Sequence, residues 1–262
     1  MVSIVTENWQ LHGIDGVLFD KDGTLIDSHL YWGRIIERRA AAIIDHFKLE
    51  EGVAGELCRA MGFDRCVRKL VPEGPIALVT REEVITILDG FLAAKGVVGS
   101  SSVLADLFAR EHEAFLGELF EYIHILPGVR RVLEDLKAQG IRTAVVTTDT
   151  VKNAHETLSY LHIDHLFDGV VGKESTIEAK ITGIPAKAAL KMLGIPPERV
   201  ICIGDAPVDM IMAEKSGLKA GIGLETGQIK LEDLQNYSPY TAASMQDLTI
   251  RSTFQEPRHY GN

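Results

Sequence analysis

Five short apolar segments, Ile14–Asp20, Ile141–Thr148, Phe167–Gly172, Val200–Gly204 and Leu218–Gly223, are rich in Val, Ile and Ala and end in Gly, Asp or Thr. A strand with one wet face alternates apolar and polar residues, whereas runs like these suit strands buried on both faces of a parallel sheet. Helical patterns with their own punctuation accompany the later four. Pro127-Gly128 opens one that Gly140 closes, Thr150 can cap the next, Pro185 leads into a third that stops at Gly194, and Pro207 begins a fourth ended by Gly217. Strands alternating with helices of this length predict right-handed crossovers, and so an α/β fold with a doubly wound parallel sheet.

One interval breaks the alternation. Between Asp27 and His124 no strand pattern stands out, but Ile36, Ala40, Ile43 and Phe47 follow helical spacing. So do Val84, Ile87, Leu88 and Phe91, and again Leu104, Leu107, Phe108 and Phe115. The expected organisation is a core domain of residues 1–27 and 125–262, with residues 28–124 forming an inserted helical subdomain. The tail from about Arg251 is polar enough to be loose.

The chain of 262 residues is long enough for an ordinary hydrophobic core. Three cysteines, Cys58, Cys66 and Cys202, show no disulfide framework, and Cys202 sits in an apolar run where a buried thiol is expected. Neither a leader pattern nor a run long enough to span a membrane is present, so the expectation is a soluble, cytoplasmic protein without membrane contact. A formal charge of −10 argues against nucleic acid as a partner.

Chemistry concentrates at the strand ends. Asp20 and Asp22 follow the first strand, one residue apart, with Gly23 and Thr24 next. Aspartates at such positions also form turns, and an aspartate pair before glycine also opens a calcium loop. The calcium loop fails on spacing: Leu25 stands where that loop needs glycine and Tyr31 where it needs glutamate. Thr147 and Thr148 end the second strand; Asp205 ends the fourth, with Asp209 one helical turn on. Strand propensity alone could account for the threonines, and a helix N-cap for Asp205. Shared polarity at three strand ends favours a site, because open parallel sheets bind ligands outside the carboxyl ends of their strands. Four neighbouring carboxylates need a cation, and oxygen donors suit Mg²⁺. Lys180 could supply a second positive charge.

These residues resemble the motifs of the haloacid dehalogenase superfamily, in its phosphatase branch with a helical cap, similar to phosphoglycolate phosphatases. A hydrophobic strand followed by Asp-x-Asp-Gly-Thr is matched by Val17 to Thr24, the second-motif threonine by Thr147, the lysine by Lys180, and Gly-Asp-x-x-x-Asp by Gly204 to Asp209. The resemblance covers nearly the whole chain. It departs in two places: Ile181-Thr182-Gly183 replaces the Pro-x-Pro run that often follows the lysine, and Ala206-Pro207 follows the Gly-Asp pair. Lys173 and Lys187 therefore stand as alternatives to Lys180.

The resemblance implies that a small phosphorylated metabolite is hydrolysed with Mg²⁺ as cofactor. Asp20 would be the nucleophile that forms an aspartyl-phosphate and Asp22 the general acid and base; residues i and i+2 at a strand end project to one side, so both can address one phosphate. Gly23 would permit the tight turn, and Thr24 would hold it by a local hydrogen bond. The metal would be held by the Asp20 and Asp205 carboxylates and the Asp22 carbonyl, with Asp209 in support, while Thr147, Thr148, Lys180 and the Gly23 loop amides hold the phosphoryl group. Arg34, Arg38, Arg59, Arg65, Arg68, Lys69 and Arg81 are basic candidates in the cap for an anionic leaving group. A sugar phosphomutase and a catalytically silent regulator are the alternative readings; dehalogenase chemistry is disfavoured by Asp22. The oligomeric state is left open.

Overall fold

The computed structural model describes residues 1–72, 74–76 and 79–252. They divide into two compact units, one of Met1–Leu25, Ile125–Thr226 and the chain from Leu231, the other of Ile26–His124 with Gly227–Lys230.

The first unit is built on a six-stranded parallel sheet. Its strands are β3 (Gly16–Phe19), β6 (Arg142–Val146), β7 (Gly169–Val171), β8 (Val200–Gly204), β9 (Ala220–Leu224) and β10 (Thr241–Ala242), in the spatial order β10-β9-β8-β3-β6-β7. The five strands expected from the sequence are all present, and β10 extends one edge. From β3 the chain steps outward through β6 and β7, then returns to the other side of β3 for β8 and β9. The connections on either side of the β3–β8 pair thus run in opposite directions, which opens a crevice at their carboxyl ends. Register keeps those ends level: Phe19 pairs with Val145 on one side and Ile203 on the other.

Helices α5 (Val129–Ala138), α6 (Val151–Tyr160), α7 (Ile184–Leu193) and α8 (Pro207–Ser216) make the crossovers, and the short α9 (Leu231–Leu234) precedes β10. Their ends follow the sequence punctuation: Thr150 accepts the Asn153 amide as the N-cap of α6, and Gly194 and Gly217 close α7 and α8 in the left-handed conformation. Ala186, Ala189 and Leu193 of α7 and Met212 and Ala213 of α8 pack with Leu18, Val146 and Cys202 of the sheet. Full burial of each of the larger ones, Leu18, Val146, Leu193 and Met212, contributes about 1.5–3 kcal/mol.

A second, antiparallel sheet went unread in the sequence. It joins β1 (Val2–Val5), β2 (Gln10–Ile14) and β11 (Thr249–Ser252) in the order β11-β1-β2. The looseness expected from Arg251 is corrected for Arg251 and Ser252, which pair with Ser3 and Val2. Their side chains are exposed, so it is the backbone ladder and not apolar burial that holds them. The rest of that tail lies outside the described residues.

The second unit is helical, with α1 (Ser28–Phe47), α2 (Ala54–Ala60), α3 (Arg81–Ala93) and α4 (Ser101–Leu116). Its core takes Ile36, Ala40 and Ile43 from α1, Leu57 from α2, Val84, Leu88 and Leu92 from α3, and Leu104, Leu107 and Phe108 from α4. Two expectations are corrected. Ile87 is 44% exposed and Ile85 is buried in its place, because the seam through Val84, Leu88 and Leu92 turns Ile87 well off the buried face. The interval also holds a two-residue hairpin, β4 (Phe63–Asp64) with β5 (Lys69–Leu70), too short to leave an alternating signature. Among the described residues no helix is long and apolar enough to cross a membrane.

Candidate active site

Three strand ends converge at the crevice. β3 stops at the buried Phe19 and Asp20 follows at once, its amide donating to Ile203 O at 2.9 Å. Beyond Gly204, Asp205 is 8% exposed, and Asp209 in the first turn of α8 is 1% exposed. One carboxylate oxygen from each of Asp20, Asp205 and Asp209 lies within 4.8 Å of the others. Gly204 permits this approach, since a Cβ there would overlap the Asp209 carboxylate.

Lys180, in a single 3₁₀ turn at Lys180–Thr182, is the lysine that reaches these groups; Lys173 and Lys187 are exposed. Its Nζ donates to Asp20 Oδ1 and, at 2.8 Å, to Asp209 Oδ1. Burial opposes its charge, but Asp20 and then Asp209 outweigh that effect and raise its pKa. The Asp20 carboxyl is pushed up by burial, with Lys180 pulling the other way.

Asp205 lacks a cationic partner among the described residues. Its Oδ1 accepts the Thr24 hydroxyl at 2.9 Å, and burial, followed by Asp20 and Asp209, pushes its pKa well above the carboxylate range. Thr24 was expected to bond locally. Its hydroxyl instead crosses to the end of β8, a contact between residues far apart in sequence that local turn chemistry does not foresee. Two of the three carboxylates share one ammonium, all donors are oxygen, and Asp205 has no ion pair among the described residues. That donor set fits a hard divalent cation.

Asp22 is half-buried and points elsewhere. It accepts Lys21 Nζ at 2.9 Å, and the same Nζ lies 3.3 Å from Asp149 Oδ2. Burial raises the Asp22 pKa, with Lys21 opposing. The buried Lys21 was missed by the sequence reading. Burial disfavours its charge, yet Asp22 and then Asp149 carry its pKa upward. Its signal was available, since a lysine between two strand-end aspartates needs a reason to be there. Thr147 is buried just past β6; its amide donates to Val171 O at 2.9 Å and its hydroxyl accepts the Asp149 amide at 3.1 Å. Thr148 is exposed. Gly23, at φ +88°, sits where a Cβ would fall 2.6 Å from Asp205 Cγ, and its carbonyl accepts the Thr226 hydroxyl at 2.6 Å.

A family model for haloacid dehalogenase-like hydrolases matches residues 14–217, which take in every residue of this site except Thr226. The chain belongs to that family. Among relatives, this hydrolase is 27% identical over 258 residues to a phosphoglycolate phosphatase of Pseudomonas fluorescens, covering 92% of the chain and 85% of the relative. It is 33% identical over 118 residues to a candidate pyrophosphatase of Caldanaerobacter subterraneus, covering 45% of the chain and 53% of that protein, so the match spans about half of that relative's length. Two solved structures share the fold. One is a Haemophilus somnus protein described by prediction as a phosphoglycolate phosphatase, at TM-score 0.67 and 22% identity over 90% of the chain and 97% of its own. The other is a candidate β-phosphoglucomutase of Thermotoga maritima, at TM-score 0.65 and 21% identity over 89% and 95%.

Proposed function

We propose that this hydrolase is a magnesium-dependent phosphatase of small phosphate monoesters, working through an aspartyl-phosphate on Asp20. The observation that carries the reading is the placement of Asp20 at the end of β3, held by Lys180 and flanked by Asp205 and Asp209 within 4.8 Å. Phosphoryl transfer is mostly positioning and charge stabilisation, and the pieces for both lie around one carboxylate.

Asp20 attacks phosphorus in line, and one difficult displacement becomes two easier ones. Lys180 favours the ionised nucleophile and offers its ammonium to the phosphoryl oxygens, with Asp209 fixing its position. The buried Thr147 and the amides of the Gly23 turn are further donors for those oxygens. Asp22 protonates the departing alcohol and then takes a proton from the hydrolytic water; a carboxyl whose pKa is raised by burial suits that exchange. Asp20, Asp205 and Asp209, with the Asp22 carbonyl, are the residues that would hold Mg²⁺. When bound, the ion supplies positive charge to phosphoryl oxygens and offsets the shared carboxylates. The helical unit would act as the cap that selects the leaving group. Small substrates are also in keeping with relatives named phosphoglycolate phosphatase.

The test is a screen of phosphate monoesters with Mg²⁺, reading inorganic phosphate release and, for sugar phosphates, isomerised product. Phosphate release is expected to dominate. A pool dominated by the isomer, with a requirement for a bisphosphate activator, would replace the phosphatase by a mutase.

A further inference from the structure

Within the helical unit, residues of α1, α3 and α4, with Ile76 and Val79 from before α3, line a cavity of about 210 Å³. Tyr31, Trp32 and Ile35 form an apolar wall, and Arg39, Arg81 and His112 line it with basic groups. No carboxylate is among the described residues that line it.

Arg39 is the anomaly. It is 4% exposed, its guanidinium lies 4.1 Å from the centroid of the Phe108 ring, and its Nε, like those of Arg34 and Arg38, is buried without a hydrogen-bond partner. No ion pair engages it among the described residues. Its neighbour Arg38, one position along the same helix, instead pairs with Glu111 at 3.2 Å and Glu118 at 2.8 Å. A buried guanidinium is ordinarily paired, and stacking on a ring compensates only part of its lost hydration. Burial, and after it the charge of Arg81, lowers the Arg39 pKa to about 10. Burial, followed by Arg81 and Arg39, likewise lowers that of His112, with Glu113 opposing. Arg81 is also the first residue of α3, where the helix dipole already favours negative charge. Two guanidinium groups that repel one another, and an imidazole held toward its neutral form, therefore face one hollow.

We propose that this cavity binds a small organic anion, its carboxylate or phosphoryl head on Arg39 with support from Arg81 and His112, and its apolar body against Tyr31, Trp32 and Ile35. The planar fork of an arginine suits such two-oxygen heads, and most small-molecule sites combine apolar walls with a few polar anchors. This goes beyond the phosphatase reading, because it requires no reaction and every residue it uses belongs to the helical unit.

The chain has two tryptophans, so Trp9→Phe leaves Trp32 as the only indole reporter. In the full-length Trp9→Phe protein, benzoate and phenylphosphonate are titrated with fluorescence and calorimetry, and benzamide serves as the neutral control. Saturable Trp32 quenching by at least one anion, with at least tenfold weaker benzamide binding, is expected. Preference for benzoate assigns a carboxylate head, and preference for phenylphosphonate a phosphoryl head. Arg39→Met should weaken binding at least tenfold, whereas Asp20→Asn should leave it within twofold, which separates this cavity from the strand-end site. If Arg39→Met does not fold, Arg39→Lys, which keeps the charge but loses the fork, and Arg81→Met are read for the same loss. No saturable anion binding, or binding indifferent to every one of these cavity substitutions, would overturn the proposal.

Discussion

Replacing Gly23 by alanine adds one methyl group and should disable the site. The φ of +88° costs an L-residue about 1–2 kcal/mol, and the new Cβ would lie 2.6 Å from Asp205 Cγ. The Asp205 carboxyl must then move, which removes its hydrogen bond from Thr24, worth about 0.5–1.5 kcal/mol. Together these predict a loss of about 1.5–3.5 kcal/mol. At about 2–4 °C per kcal/mol for a chain of this size, that is a fall of roughly 3–14 °C in melting temperature. Because Asp205 belongs to the carboxylate cluster, phosphate release from a screened ester should fall at least a hundredfold. Gly90→Ala is the matched control: Gly90 lies inside α3 with nothing within 4 Å of its would-be Cβ, so alanine should stabilise by about 0.5–1 kcal/mol. Melting curves by circular dichroism and initial rates on both variants decide the matter. A Gly23→Ala protein that melts within 2 °C of wild type and turns over normally would refute the argument that the turn is held open for Asp205.

Asp20→Asn should abolish turnover while leaving the melting curve within a few degrees of wild type, since shape is kept and the nucleophile is lost; phosphate release near the wild-type rate, in protein checked for contamination, would rule out covalent catalysis through Asp20. Asp205→Ala should weaken Mg²⁺ binding in calorimetry and lower activity strongly, and Ca²⁺ in excess should inhibit the wild type through its looser coordination; full activity in EDTA would reduce Asp205 to a structural role. Alkylation with iodoacetamide at pH 8 should label Cys66 alone in the folded protein and all three cysteines in denaturant, because Cys58 and Cys202 are buried and burial raises their thiol pKa values, that of Cys58 to about 11. Fast labelling of Cys58 by mass spectrometry would contradict its placement in the helical core.

The legibility of the chain followed the physical range of each signal. Parallel strands were readable because burial on both faces makes them uniformly apolar, and helices such as α7 and α8 because proline and glycine mark their ends within a few residues. That Asp20 and Asp205 lie close together was readable because strand ends in such a sheet share one edge, whereas Lys180, in a turn well past β7, stood beside Lys173 and Lys187 as alternatives. What failed was whatever depended on long-range pairing or on small differences in angle. β11 has exposed side chains and exists because β1 offers it a ladder. Thr24 meets Asp205 only through the fold. Arg38 and Arg39 are chemically identical in sequence, and a rotation of about 100° between neighbouring helix positions sends one to two glutamates and the other into a cavity. The list of basic candidates accordingly included Arg38 and passed over Arg39.

The pairing of β1 with β11 also has a consequence in time. Val5 is bonded opposite Thr249, so β1 leaves a ribosome long before the segment that pairs with it is made. At about 5–20 residues per second, some 12–50 s separate the two. Throughout that wait β1 can pair with β2 but keeps one open edge, and an open edge is a template for joining a neighbouring nascent chain. Pairing with β11 moves that edge from β1 to a strand whose Thr249, Arg251 and Ser252 side chains are exposed, and a chain cut short before Thr249 would leave β1 itself at the edge.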